Sequence, residues 1–116
     1  MNRNRIAMDK HVRLGVTGWT PYDQVYFARS VKSRLIKVGI TSHLEQRLIE
    51  LARLEKGQME LLAAIPSSSR ETEDWFLDHF QGYCVRGEWF DLEWDNVRDG
   101  IAKYLTVHES LKELTP

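Results

Sequence analysis

The sequence predicts a mixed α/β domain of the α+β kind, with its elements in the order β-β-α-β-α-α. Two β-rich runs stand close together, apolar residues then recur at helical spacing, and glycine or proline separates the successive segments. The chain has 116 residues, of which 42% are hydrophobic and 28% are charged. This length and composition fit one domain that can bury a core of its own.

The first 22 residues differ from the rest of the chain. They show no sustained period and contain Gly15, Gly18 and Pro21, which favours an arm with a partly ordered loop. We therefore expect the chain to divide into an arm over residues 1–22 and a single domain over residues 23–116.

The domain is expected to open with a β-hairpin. Residues 24–30 contain the β-forming run Val-Tyr-Phe-Ala, and residues 34–40 alternate, with Ile36, Val38 and Ile40 on one face. Only three residues separate the two runs, a connection of hairpin length. The two strands should therefore pair in antiparallel fashion.

The next segments read as a helix followed by a strand. Ser42 and Glu45 have the spacing of a capping box, which predicts a helix that begins there, runs to about Glu55 and ends before Gly57. Residues 59–65 form a short apolar run that Pro66 terminates, and this run predicts a third strand.

Two helices complete the predicted order. The first is expected over about residues 69–80, and the last over residues 94–108. Between them we expect a loop that contains Gly82, Gly87 and an aromatic segment at residues 88–92.

Two charged residues fall on helical faces that should be apolar. Arg47 projects between Leu51 and Leu54, and Glu73 projects onto the face that carries Phe76. A carboxylate on such a face loses hydration and needs a cation or hydrogen-bond donors. Three interpretations of these charged residues are open: an Arg47–Glu73 ion pair, an arginine whose head reaches solvent, and a functional site. Periodicity does not choose among them.

Composition excludes several classes of protein. The single cysteine, Cys84, cannot form an internal disulfide, and four scattered histidines do not supply a structural zinc site. The apolar runs are too short for a membrane span, and the first residues lack the apolar core of a signal peptide. We therefore expect an intracellular, cytoplasmic protein with no membrane partner.

The net charge of −1 hides an uneven distribution. Residues 1–54 carry ten Lys and Arg against four Asp and Glu, whereas residues 55–116 carry six against thirteen. Such a split indicates either a basic face for a polyanion or two halves that attract each other.

Four residues in these segments follow one known order. Val25-Tyr26-Phe27 is followed by Lys37-Val38-Gly39, then by Arg47 eight residues after that glycine, and then by Glu73 on a later helix. This arrangement resembles the GIY-YIG endonuclease superfamily. Residues 36–42 and 87–90 are similar to a phage and bacterial branch of it that is often labelled as a DNA-binding domain, and the resemblance covers about residues 24–92.

The resemblance implies a small three-stranded antiparallel sheet flanked by helices, and hydrolysis of DNA phosphodiester bonds with one Mg²⁺ or Mn²⁺ ion. In this family pattern Glu73 is the metal-binding glutamate, and Arg47 is the arginine that can grip two phosphate oxygens. Tyr26 is the tyrosine of the first motif, whose hydroxyl could orient or deprotonate the attacking water. These three residues and Lys37 are the candidate catalytic residues.

Lys37 departs from the family pattern, because a tyrosine usually stands in the second motif. Some restriction-enzyme members also carry lysine there. A lysine beside the phosphate could lower the pKa of the tyrosine or act as a base, but it could also mark a domain that binds DNA without cutting it. A purely structural explanation is an edge-strand lysine that discourages aggregation.

Several basic residues near the predicted site are candidates for contacts to DNA phosphates. Arg29, Lys32 and Arg34 flank or lie in the hairpin, His43 stands one turn before Arg47, and the arm adds Arg3, Arg5, Lys10 and Arg13. Three functions remain open: a metal-dependent nuclease, a non-catalytic DNA-binding module, and a phage-type interaction protein that uses the same fold.

Overall fold

The computed structural model describes residues 23–66 and 70–114, with side chains through residue 108. The predicted arm and the predicted start of the second helix at Ser69 lie outside these residues. The elements are β1 (Gln24–Ser30), β2 (Ile36–Thr41), α1 (Leu44–Glu55), β3 (Met59–Pro66), α2 (Arg70–His79), a 3₁₀ turn (Gln81–Tyr83), β4 (Cys84–Arg86), β5 (Trp89–Phe90) and α3 (Trp94–Leu114).

The strands form one antiparallel sheet in the order β3-β1-β2-β5-β4. β1 pairs with β2 as the sequence predicted, with Tyr26 opposite Gly39 and Ala28 opposite Lys37. On its other side β1 pairs with β3, and the register shifts between Phe27 and Ala28. β1 is therefore bonded along both edges.

The predicted three-stranded sheet and the order β-β-α-β-α-α are wrong. The observed sheet has five strands, and the order is β-β-α-β-α-β-β-α. The segment expected to be a loop forms β4 and β5, which turn at Gly87 in the left-handed region with a φ of 51°. Strands of three and two residues are too short to display an alternating pattern, so periodicity does not predict them.

The β1–β2 turn is longer than predicted. Arg34 has a φ of 70° and donates its backbone N–H to the Ser30 carbonyl oxygen at 2.7 Å. Ser30 in turn donates to the Leu35 carbonyl oxygen at 2.9 Å. These bonds close the turn, and β2 begins at Ile36 instead of residue 34.

Helix α1 ends where the sequence predicted but begins differently. His43, and not Ser42, is the N-cap residue and makes no side-chain cap hydrogen bond, and the Ser42 hydroxyl lies 3.0 Å from His43 Nδ1. At the other end Lys56 adopts the left-handed conformation, and Gly57 donates its backbone N–H to the Ala52 carbonyl oxygen at 3.0 Å. These two residues stop the helix.

The helices cover both faces of the sheet. α1 packs on the face that carries Tyr26, Ala28 and Leu61, and α2 and α3 pack on the opposite face, which carries Phe27 and Val38. Successive residues of β1 therefore enter different core clusters, as the two-residue period of a strand requires. Within the described part of the chain, no helix has the length and apolar character needed to cross a membrane.

Candidate active site

Tyr26 lies at the centre of the candidate site. It points from β1 toward α1 and is fully buried. Arg47 approaches its hydroxyl without completing a good hydrogen bond, and the hydroxyl has no partner among the described residues. Burial raises the pKa of Tyr26 above its ordinary value, while Arg47 acts in the opposite direction. The phenol is therefore a protonated group inside the domain, and among the described residues Arg47 is the cation that acts on it.

The ring of Tyr26 fits because its cross-strand neighbour has no side chain. A Cβ atom placed at Gly39 would lie 2.5 Å from Tyr26 Oη and 2.7 Å from its Cζ. Such contacts are too close for any side chain, so glycine at position 39 provides the space for the ring.

Arg47 lies in the first part of α1 and reaches partly into solvent. Its Nη1 pairs with Glu50 Oε1 at 2.9 Å, and its side chain keeps 42% of its exposure. Hydrogen bonding to Glu50 and the proximity of Tyr26 raise the pKa of Arg47. The predicted apolar face is also displaced, because Leu54 is 73% exposed whereas Ala52 is buried. Arg47 therefore borders the core instead of lying within it.

Lys37 contacts the β5 side of the sheet. Its Nζ lies 2.7 Å from Glu88 Oε1, and its side chain is only 13% exposed. β2 lies between β1 and β5, so the interpretation of Lys37 as an edge-strand lysine is wrong. The lysine instead belongs to a part-buried ion pair beside Tyr26, because Tyr26 stands opposite Gly39 on the neighbouring strand.

Glu73 is a buried carboxylate with weak compensation. Its side chain is 6% exposed, and its ion-pair partner within the described residues is Arg70, whose Nη1 lies 3.5 Å from Oε1. Burial, followed by the charge of Glu88, raises the pKa of Glu73, and Arg70 opposes this rise. Glu73 and Arg47 thus pair with different partners, and the structure does not contain the ion pair considered from periodicity.

Electrostatic influence connects the four predicted residues. The charges of Arg47 and Glu73 both act on the pKa of Tyr26, and the charge of Lys37 acts on that of Glu73. The folded chain therefore brings these groups within electrostatic reach of one another. Their exposure differs, because Arg47 and Lys37 reach solvent whereas Tyr26 and Glu73 are buried.

Glu88 is a member of this site that the sequence analysis did not identify. It pairs with Lys37, and its charge raises the pKa of both Tyr26 and Glu73. One signal was present, since Glu88 is a carboxylate between Gly87 and the aromatic pair Trp89-Phe90. Its role depends on the β5 pairing that the sequence failed to predict.

The carboxylates of Glu73 and Glu88 fit a cation that takes few protein ligands. In the described ranges no three or more His, Cys, Asp or Glu side chains cluster in a way that could hold a metal ion. Mg²⁺ needs no such cage, because one or two carboxylates, phosphate oxygens and waters complete its coordination. A buried, weakly compensated Glu73 with Glu88 in electrostatic reach suits that requirement.

The predicted DNA contacts occupy different environments. Arg29 is engaged by Glu60 on β3, with its Nη2 2.8 Å from Glu60 Oε1, so a phosphate contact there would require this pair to open. Lys32 and Arg34 are exposed in the hairpin turn. His43 is exposed beside an open depression of about 420 Å³ that Arg47 also lines. The basic residues of the arm lie outside the described residues.

Comparison with known proteins supports the resemblance in its broader form. A family model described as the T5orf172 domain matches residues 23–105, which is most of the chain and includes every candidate catalytic residue. No curated protein and no solved structure matches the chain. The domain occurs in phage and bacterial proteins and is linked to DNA binding and nuclease function. The chain therefore belongs to the T5orf172 domain family.

Proposed function

We propose that this protein is a divalent-metal-dependent endonuclease of the GIY-YIG type that hydrolyses DNA phosphodiester bonds. The observation that carries the proposal is the buried hydroxyl of Tyr26, which has no hydrogen-bond partner among the described residues and lies within electrostatic reach of Arg47 and Glu73. A buried hydroxyl without a partner costs stability, so its presence at this position favours a functional role. Membership of a family linked to nuclease function supports the same proposal.

Arg47 would bind the scissile phosphate. Its guanidinium is the most exposed of the candidate catalytic groups and is held by a surface carboxylate, Glu50. A phosphate can replace that carboxylate, because the planar guanidinium donates two parallel hydrogen bonds to either anion. Arg47 would thus place the reacting phosphorus near Tyr26.

Tyr26 would position or deprotonate the attacking water. Its raised pKa means that the phenol stays protonated at neutral pH, so proton removal requires additional positive charge at the site. Lys37 can supply part of that charge once its pair with Glu88 is loosened.

Glu73 would hold the Mg²⁺ or Mn²⁺ ion, which when bound neutralises charge on the phosphate and lowers the pKa of a coordinated water. The weak compensation of Glu73 by Arg70 supports this role, because a nearby cation would favour the ionised carboxylate.

A plasmid-nicking assay with and without Mg²⁺ or Mn²⁺ tests the proposal. We expect conversion of supercoiled DNA to nicked and linear forms only with a divalent ion, leaving 5′-phosphate and 3′-hydroxyl ends. A Glu73→Gln protein prepared in parallel controls for contaminating nucleases. DNA that remains supercoiled under all these conditions would contradict the proposal.

A DNA-binding module without catalysis is the second candidate. The Lys37–Glu88 ion pair favours this second candidate, because the Glu88 carboxylate neutralises the lysine that would otherwise face the phosphate. In that case the protein would bind DNA in a salt-dependent manner without cutting it. Absence of DNA binding would instead favour the phage-type interaction protein.

A further inference from the structure

Among the described residues, most of the Lys and Arg side chains that lack an ionic partner lie at one end of the domain. Ion pairs engage six described side chains: Arg29, Lys37, Arg47, Arg70, Arg86 and Arg98. The remaining Lys and Arg side chains of the described residues form no ion pair with another described residue, and they are Lys32, Arg34, Arg53, Lys56 and Lys103. All of these except Lys103 lie in the β1–β2 turn or at the end of α1.

The β1–β2 turn and the end of α1 are neighbours in the fold. Val31 donates its backbone N–H to the Gln58 carbonyl oxygen at 2.9 Å. The Cβ atom of Lys32 lies 3.4 Å from the position that a Cβ at Gly57 would take. Lys32, Arg34, Arg53 and Lys56 are all exposed, and we call this group the basic end.

Helix electrostatics explain only part of this arrangement. A cation in the last turn of α1, such as Arg53, is stabilised by the negative end of the helix dipole. That effect does not extend to the hairpin residues Lys32 and Arg34. Exposed like charges on adjacent segments repel each other, and a bound polyanion would remove that repulsion.

We propose that the basic end binds the phosphate backbone of duplex DNA. The choice of duplex DNA as the partner rests on the proposed function, whereas binding of duplex by the basic end does not require cleavage. Phosphate contacts of this kind hold the duplex in register without reading its sequence.

Two double variants and one matched control test the proposal. Arg53→Gln/Lys56→Asn removes two charges from the end of α1, with asparagine chosen because it tolerates the left-handed conformation of Lys56. Lys32→Gln/Arg34→Asn removes two charges from the hairpin turn, and asparagine is used at position 34 because Arg34 is also in the left-handed conformation. The control, Arg98→Gln/Lys103→Gln, makes the same change in net charge on α3, the helix on the opposite face of the sheet.

The measurement is the affinity for a labelled random-sequence duplex over a series of salt concentrations, with a chelator present to prevent cleavage. We expect each basic-end variant to reduce the log–log salt slope by about one to two and to lose about tenfold in affinity at low salt, because each phosphate contact contributes about 0.9 to that slope. The control should keep the wild-type slope. Thermal unfolding checks that all three variants remain folded.

The hairpin variant separates DNA contact from helix electrostatics, because Lys32 and Arg34 lie outside α1. Unchanged slopes in both basic-end variants, or an equal loss in the control, would overturn the proposal. Failure of the proposed nuclease function gives a different result, in which the slopes respond as expected but no plasmid is cut with any divalent ion.

Discussion

Tyr26 and Gly39 form a cross-strand pair in which the tyrosine ring covers the glycine. The two residues are opposite each other in the β1–β2 register, and a Cβ on Gly39 would lie 2.9 Å or less from three atoms of the phenol. The glycine of the second motif therefore has a steric role in placing the tyrosine of the first motif. It sets where the Tyr26 hydroxyl lies relative to Arg47.

Gly39→Ala should destabilise the protein by about 1–3 kcal/mol, because the new methyl group meets a ring that is fully buried and cannot move away freely. Urea unfolding measures this change. Gly82→Ala is the matched control, since a Cβ there would meet nothing within 4 Å. Combining Gly39→Ala with Tyr26→Leu, which removes the outer part of the ring, should cost less than the sum of the two single changes. Additive effects would refute the steric explanation.

Tyr26→Phe should separate stability from catalysis. The hydroxyl has no described hydrogen-bond partner, so its removal should leave the free energy of unfolding unchanged or slightly increased. If the hydroxyl acts as a general base, the rate of plasmid nicking should fall by a factor on the order of a hundred or more. Retained activity would exclude that role, and a marked loss of stability would show that the hydroxyl makes a structural hydrogen bond.

Glu73→Gln should abolish cleavage and preserve the fold, because the amide has nearly the same shape but is a poor ligand for Mg²⁺. DNA binding should persist or tighten, since a negative charge near the phosphate is removed. An unfolded variant would indicate that the carboxylate has a structural role.

The same substitution has a predicted pH dependence. The pKa of Glu73 is raised in the folded protein above its ordinary value of 4.5, so the folded state binds this proton more tightly than the unfolded state does. Stability from this group is therefore fully present below pH 4.5 and is lost as the pH rises through the folded pKa. Relative to wild type, Glu73→Gln should become more stable as the pH rises from 4 to 7, as measured by urea unfolding at each pH. A difference that does not vary with pH would contradict the assignment.

Glu88→Gln should lower the pKa of Tyr26 and increase affinity for DNA. The charge of Glu88 raises the pKa of Tyr26, and its carboxylate forms an ion pair with Lys37. The glutamine amide is uncharged, so it removes the effect on the pKa and leaves Lys37 free to contact DNA. Ultraviolet titration of wild type, Glu88→Gln and Tyr26→Phe identifies the tyrosine concerned, and a binding assay gives the affinity. Asp95→Asn serves as the control, because Asp95 pairs with Arg98 on α3, which packs on the opposite face of the sheet. Equal effects of the two substitutions would show a general charge effect only.

Local sequence patterns predicted much of the fold. The alternation of Ile36 and Val38 correctly assigned one face of β2, and Gly57 marked the end of α1 to within a residue. These features depend on neighbours within a few positions, where strand and helix periods determine which side chains share a face. Such information is contained in the sequence itself.

Other features required the three-dimensional arrangement. β4 and β5 join the sheet because β5 pairs with β2, with Ile36 opposite Phe90 and Lys37 opposite Trp89. Isolated strands of this length have little preference of their own. The ion-pair partners of Arg47 and Glu73 were likewise undetermined, because several carboxylates and arginines stand near enough in the sequence to serve.

The sequence by itself determined which residue types stand at each motif position, together with the hairpin, the three helices and the residues expected to act on DNA. Only the tertiary structure decided that Glu88 joins Lys37 across 51 residues of chain, and that the Tyr26 hydroxyl is buried without a described partner. The physical reason is that burial and electrostatic interaction depend on distance in space. Periodicity describes only how neighbouring residues share a face, so it cannot specify which distant groups will meet.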